Sequence, residues 1–96
     1  MTDALRLEPV LDLKAATPLQ TALLARRGRA VEIDASGVER LGGLCLQVLL
    51  SAHRTWGDDG FPLQVTPRSE AFTEALRLFG ADTRLDESRL EEMDAQ

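Results

Sequence analysis

From Leu41 onward the apolar positions fall at 41, 44, 45, 48, 49, 52 and 56. That spacing predicts a helix with one wide buried face. Leu46 and Leu50 widen the stripe, and Gly57-Asp58-Asp59-Gly60 ends it. Just upstream, Ala30-Val31-Glu32-Ile33-Asp34-Ala35 alternates as a strand does, and Ser36-Gly37 can turn the chain. Leu5-Arg6-Leu7 reads as a short half-buried strand. Residues 10–13 read as a second, paired to the first through a turn near Glu8-Pro9.

Two further helices have clear punctuation. Thr17-Pro18-Leu19-Gln20 predicts a start, with Thr17 as cap, Pro18 at the first helical position and Gln20 completing a capping box. That helix runs to Arg26-Arg27 and stops at Gly28. Ser69 caps a helix carrying Phe72, Ala75, Leu76 and Phe79, closed by Gly80. Between them Phe61-Pro62-Leu63-Gln64-Val65 predicts a strand. The order β-β-α-β-α-β-α implies an α/β fold: a mixed β-sheet of about four strands, largely parallel in its later part, with three or four helices. In open sheets of this kind binding concentrates at the carboxyl ends of strands. Residues 34–44 occupy such an end. A single domain over 1–82 is expected, followed by an acidic tail over 83–96, in which Leu85, Leu90 and Met93 allow one short helix.

Composition removes several function classes. The net charge is −5, which argues against nucleic acid, whose phosphates need a basic face. With no Tyr, one Trp and three Phe, base stacking is poorly served too. One Cys and one His cannot make a structural zinc site or an intramolecular disulfide. No cofactor motif is present. No run of 18 apolar residues suggests a membrane span, and MTDALRLEPV carries no secretory signature, so the cytoplasm is the expected location.

Chemistry is sparse where the architecture invites it. The junction Leu41-Gly42-Gly43-Leu44 has no hydroxyl, lysine or histidine to act as nucleophile or phosphate grip. No triad or metal spacing supplies catalytic roles, so no catalytic residue is expected. Cys45 on the apolar face is expected to be buried and inert. His53 is expected at the surface or its boundary, and Trp56 at the core edge. Arg26, Arg27 and Arg29 are expected on solvated surface. Ser36 is expected to be a turn residue rather than a phosphoacceptor.

The pieces Leu11-Asp12-Leu13, Thr17-Pro18, residues 33–38 (IDASGV), Gly43-Leu44 and Ser69-Glu70-Ala71-Phe72 together resemble a STAS domain, the fold of anti-sigma factor antagonists. Members typically show D-x-S-x-V at a strand end, then a D-[ST]-[SG]-G-L loop opening a long helix. The resemblance covers about residues 10–80. It implies an interaction module rather than an enzyme. Its partner in the family is often a histidine-kinase-like protein that phosphorylates the Ser or Thr at the helix start. Aligned on Asp34, Ser36 and Val38, this chain has Gly42 at the family's Asp and Gly43 at the acceptor. A second register matches residues 34–37 (DASG) to the loop and puts Ala35 at the acceptor. Neither offers a hydroxyl.

The resemblance therefore implies a docking surface without a phosphoswitch, formed by Ser36, Arg40, Gly42, Gly43, Leu44, Leu46 and Gln47. Leu46 and Leu50 lie either at an interface margin or inside the core. The expected partner is a kinase-like anti-sigma protein or a chemotaxis signalling protein, because the L-G-G-L-C-L-Q-V-L-L stretch looks like small chemotaxis-associated STAS proteins. The alternative is an accessory STAS subunit bound to the ATPase of an ABC (lipid) transporter, some of which carry a T-G-G junction. Pairing with a second copy stays open.

Overall fold

The computed structural model describes residues 2–81 and Leu85. The chain order is β1 (Thr2–Arg6), β2 (Val10–Leu11), α1 (Leu13–Leu24), β3 (Ala30–Ala35), β4 (Arg40–Leu41), α2 (Gly43–Asp59), β5 (Leu63–Arg68) and α3 (Glu70–Leu78). The mixed α/β, STAS-like architecture expected from the sequence is present.

The strand pairing differs from the expected hairpin. β1 pairs with β3, β2 with β4 and β3 with β5, all in parallel, so β1 and β2 do not pair with each other. The order is β1-β3-β5 in the larger sheet, and β2-β4 forms a separate two-stranded ladder. Residues 2–11 run alongside residues 30–41 as one path with a break at Pro9. Leu7 N–H donates to the Asp34 carbonyl, and the Pro9 carbonyl accepts from Glu39 and Arg40 N–H. Proline gives up no donor there, since only its carbonyl is used.

The larger sheet has two unlike faces. Val31, Ile33 and Ala35 of β3, with Leu63 and Val65 of β5, are buried. Glu32 and Gln64, paired in register between them, are exposed. The two-residue period of a strand produces this segregation. Over the apolar side lie Ala16, Leu19 and Leu23 of α1, the buried stripe of α2, and Phe72 and Leu76 of α3. Leu85 belongs to the same core, at 2% exposure. The rest of the tail expected over 83–96 lies outside the described residues.

α1 begins four residues before the expected cap. Asp12 is its N-cap, with Oδ1 accepting from Ala15 N–H at 3.2 Å, and Pro18 lies inside the helix. Proline there withholds only the donor that Lys14's carbonyl would have met. Pro18 and Lys14 are both exposed, so water can solvate that carbonyl. α3 begins as expected: Ser69 Oγ accepts from Phe72 N–H at 3.0 Å.

α2 is packed more deeply than a single stripe predicts. Cys45, Leu49, Ala52 and Trp56 are buried on one face, and Leu46 and His53, seven residues apart, are buried beside them. The helix packs against both α1 and β5, so two adjoining stripes find neighbours. This corrects the expected surface or boundary placement of His53, which is 8% exposed. Trp56 is fully buried, and its Nε1–H donates to the Arg29 carbonyl at 2.8 Å.

Candidate functional site

β3 delivers the chain to the carboxyl end of the larger sheet. Ser36 and Gly37 turn it there. Asp34 Oδ1 accepts from both Ser36 N–H, at 2.9 Å, and Ser36 Oγ–H, at 2.7 Å. These two donors hold the Asp34 carboxyl below its ordinary range, with a smaller contribution from the charge of Arg6. The Ser36 hydroxyl is thus committed to Asp34, as a turn residue's would be.

β4 then carries the chain beside β2 to the start of α2. Gly42 N–H donates to the Leu11 carbonyl at 2.9 Å. A Cβ at position 42 would stand 3.1 Å from that same oxygen and 4.0 Å from Asp12 Cα. Glycine lets the two backbones lie this close without crowding. Gly42 is the N-cap of α2 and offers no side-chain acceptor, and no acidic residue occupies the first turn. A 17-residue helix therefore begins with bare amides at a partly exposed surface.

Cys45 lies one turn inside. It is fully buried, and its Sγ–H donates to the Asp12 carbonyl at 3.3 Å. Burial first, and the nearby charge of Asp12 second, push its thiol upward. That is the setting of an inert cysteine rather than a nucleophile. Among the described residues, no group of three His, Cys, Asp or Glu side chains could hold a metal ion.

Exposed apolar residues lie on the segments that meet at this uncapped helix start. Leu13, the first residue of α1, is 71% exposed and Leu44 is 49% exposed. Phe79, at the C-cap of α3, is 51% exposed, and its ring atoms Cε1 and Cζ lie 3.8 and 3.9 Å from where a Gly43 Cβ would be. Asp12 is in contact range of both Gly42 and Cys45, which places Leu13 beside the α2 start. Val10, opposite Arg40 in the β2–β4 pair, is also exposed.

Of the residues expected to form the surface, Arg40, Gly43, Leu44 and Gln47 are exposed along this junction, with Gly42 half-buried. Ser36 is exposed but bound to Asp34. Leu46 is a correction: it is only 4% exposed and lies in the core, because α2 buries a second stripe. Leu50 is partly buried and packed on that core. Leu13 and Phe79 are the additions. The signals were present, a leucine directly after a capping Asp and a phenylalanine directly before a closing Gly. Both positions lie at helix ends, where a side chain can overhang the core.

The basic residues near the end of α1 do not join this site. Arg26 and Arg29 face Asp3 at 3.7 and 3.2 Å, and Arg27 pairs with Asp59 at 2.9 Å. They tie the ends of α1 and α2 to the start of the sheet, opposite the junction. No helix among the described residues is long and apolar enough to cross a membrane.

A protein-family model described as Mlab, STAS domain matches residues 1–92. No curated protein matches the chain.

Proposed function

The chain belongs to the STAS domain family, and from that premise we propose that it acts by stoichiometric docking through the start of α2, with no phosphoswitch of its own. STAS domains serve generally as anti-sigma factor antagonist-like signalling or interaction modules, and as binding modules rather than catalysts. The observation that carries the finer reading is the exposed Leu44 and Phe79 at the bare Gly42-Gly43 helix start, with exposed Leu13 next in the chain to Asp12, which approaches Gly42. Clustered exposed apolar side chains mark interaction surfaces, and aromatic side chains are enriched among the anchors of such surfaces.

The helix boundary supports the first of the two sequence registers. Gly42 is the cap and Gly43 the first helical residue, the place the family gives to its Asp and its acceptor. Ala35, the acceptor in the second register, is instead a fully buried strand residue. In either register no hydroxyl occupies the acceptor position. The proposed partner is a kinase-like or chemotaxis signalling protein in a bacterial cytoplasm, held by shape and apolar contact rather than released by phosphate.

A second reading is supported by the description of the matching family model and by the Gly42-Gly43 pair. It makes the protein an accessory subunit that binds the ATPase of an ABC lipid transporter. Leu41 stands where the T-G-G junction of some such proteins has its Thr, and it is buried.

Affinity purification of tagged protein from its native cell, beside a Gly43→Glu variant, tests both. A glutamate puts negative charge where the family's phosphate sits. A kinase-like signalling protein recovered with the wild type and lost with the variant supports the first reading, and a transporter ATPase with the same behaviour supports the second. Identical partners for both baits would remove the junction as the docking surface.

A further inference from the structure

The relation between Phe79 and Gly43 carries a consequence for modification. The ring flanks the place a side chain at position 43 would take, with Cε1 and Cζ 3.8 and 3.9 Å from the Cβ position. That is ordinary contact, so a small side chain fits beneath the ring without a clash. Its side facing α3 is then covered. The backbone that carries the ring is anchored at both ends of its helix. Ser69 fixes the start of α3 to the Val38 carbonyl at 2.6 Å. At the other end Phe79 N–H donates to Ala75 O at 3.0 Å, and Gly80, with φ +70°, turns the chain away.

We infer that Phe79 is a screening residue for position 43: the α3 aromatic stands in for the missing side chain and obstructs a modifying enzyme's approach. Restoring a hydroxyl by Gly43→Ser therefore does not by itself restore a phosphoacceptor. Phosphoryl transfer needs the donor nearly in line with the acceptor oxygen at close range, and the ring occupies one flank of that approach. The acceptor position is thus altered twice, once by glycine and once by the Phe79 ring on its flank. This inference deepens the docking reading and uses its register.

The test is thiol labelling in a Cys45→Ala background, which removes the buried native thiol. Gly43→Cys and Leu44→Cys are compared with two probes, small methyl methanethiosulfonate and a bulky aromatic disulfide. Both positions lie in the first turn of α2, and taking the ratio of bulky to small labelling cancels thiolate content. A screening ring predicts a ratio at position 43 about fivefold or more below that at position 44, since labelling follows thiolate exposure. Adding Phe79→Ala removes the difference, with circular dichroism confirming the fold, and Phe79→Leu gives an intermediate ratio. Equal ratios at the two positions, or a difference that persists without the ring, overturn the inference. No partner is needed, so failure here is separate from failure of the affinity comparison.

Discussion

The carbonyl oxygen of Leu11 both holds Gly42 and crowds any larger residue there. It accepts the Gly42 N–H at 2.9 Å and would stand 3.1 Å from a Cβ at that position. The contact joins β2 to the cap of α2, so the two halves of the site are set by one backbone approach. Position 43 is different, because its Cβ would meet only the Phe79 ring at ordinary distance.

The two glycines are therefore expected to respond oppositely to alanine. Gly42→Ala forces backbone apart and replaces a tolerated cap with a poor one, costing about 1–2 kcal/mol. Gly43→Ala removes unfolded-state freedom at a helical position and is expected to be neutral or stabilising by about 0.4–1 kcal/mol. Urea unfolding of the two variants measures the contrast. Equal destabilisation would show that the Leu11 approach does not set the site.

Leu46 and Leu44 separate stability from docking. Leu46→Ala empties a core position and is expected to cost about 2–5 kcal/mol. Leu44→Ser and Phe79→Ala change half-exposed side chains and are expected to move stability by less than about 1 kcal/mol. They should nevertheless weaken partner recovery strongly. Thermal unfolding and pull-down yield, measured on the same samples, give both axes.

Ser69 joins α3 to the loop before β4. Its hydroxyl donates to the Val38 carbonyl and accepts from Phe72 N–H. Ser69→Ala removes a cap and leaves the Val38 carbonyl without this donor, for a loss of about 1–2 kcal/mol. Hydrogen exchange should rise first at the amides of α3's first turn. Uniform loss across all helices would mean that α3 does not open as a separate unit.

The acid side of the stability profile should carry the mark of Asp34. Its folded carboxyl is held below the ordinary value by Ser36, so this contribution is present above the unfolded carboxylate range of about 4 and lost as pH falls through the lower folded value. Asp59, lowered first by its hydrogen bond from Arg27, acts in the same direction. Ser36→Ala is expected to return the Asp34 titration toward the ordinary range, read by carboxyl-carbon NMR. An unchanged midpoint would remove the Ser36 hydroxyl as its main cause.

Local patterns made much of this fold legible. The alternation of residues 30–35 fixed β3, because a strand's two faces are chemically distinct. Ser69 and Gly80 bracketed α3, because caps are local hydrogen-bonding and dihedral preferences. The apolar spacing after Leu41 identified α2. The start of α1 was misread, because Thr17-Pro18 has good local start chemistry while Asp12 supplies a working cap five residues before Thr17.

Sequence by itself determined the kind and order of elements, the absence of a hydroxyl at the α2 start, and the family, since period, caps and motif residues are properties of adjacent positions. Tertiary structure alone decided that β1 and β2 pair with β3 and β4 rather than with each other. It also buried Leu46 and His53, and brought Phe79 to the rim of Gly43. Those outcomes depend on which surfaces meet between distant parts of the chain. α2, packed against both α1 and β5, hides a second stripe, and Phe79 reaches Gly43 from a helix whose start Ser69 bonds to Val38.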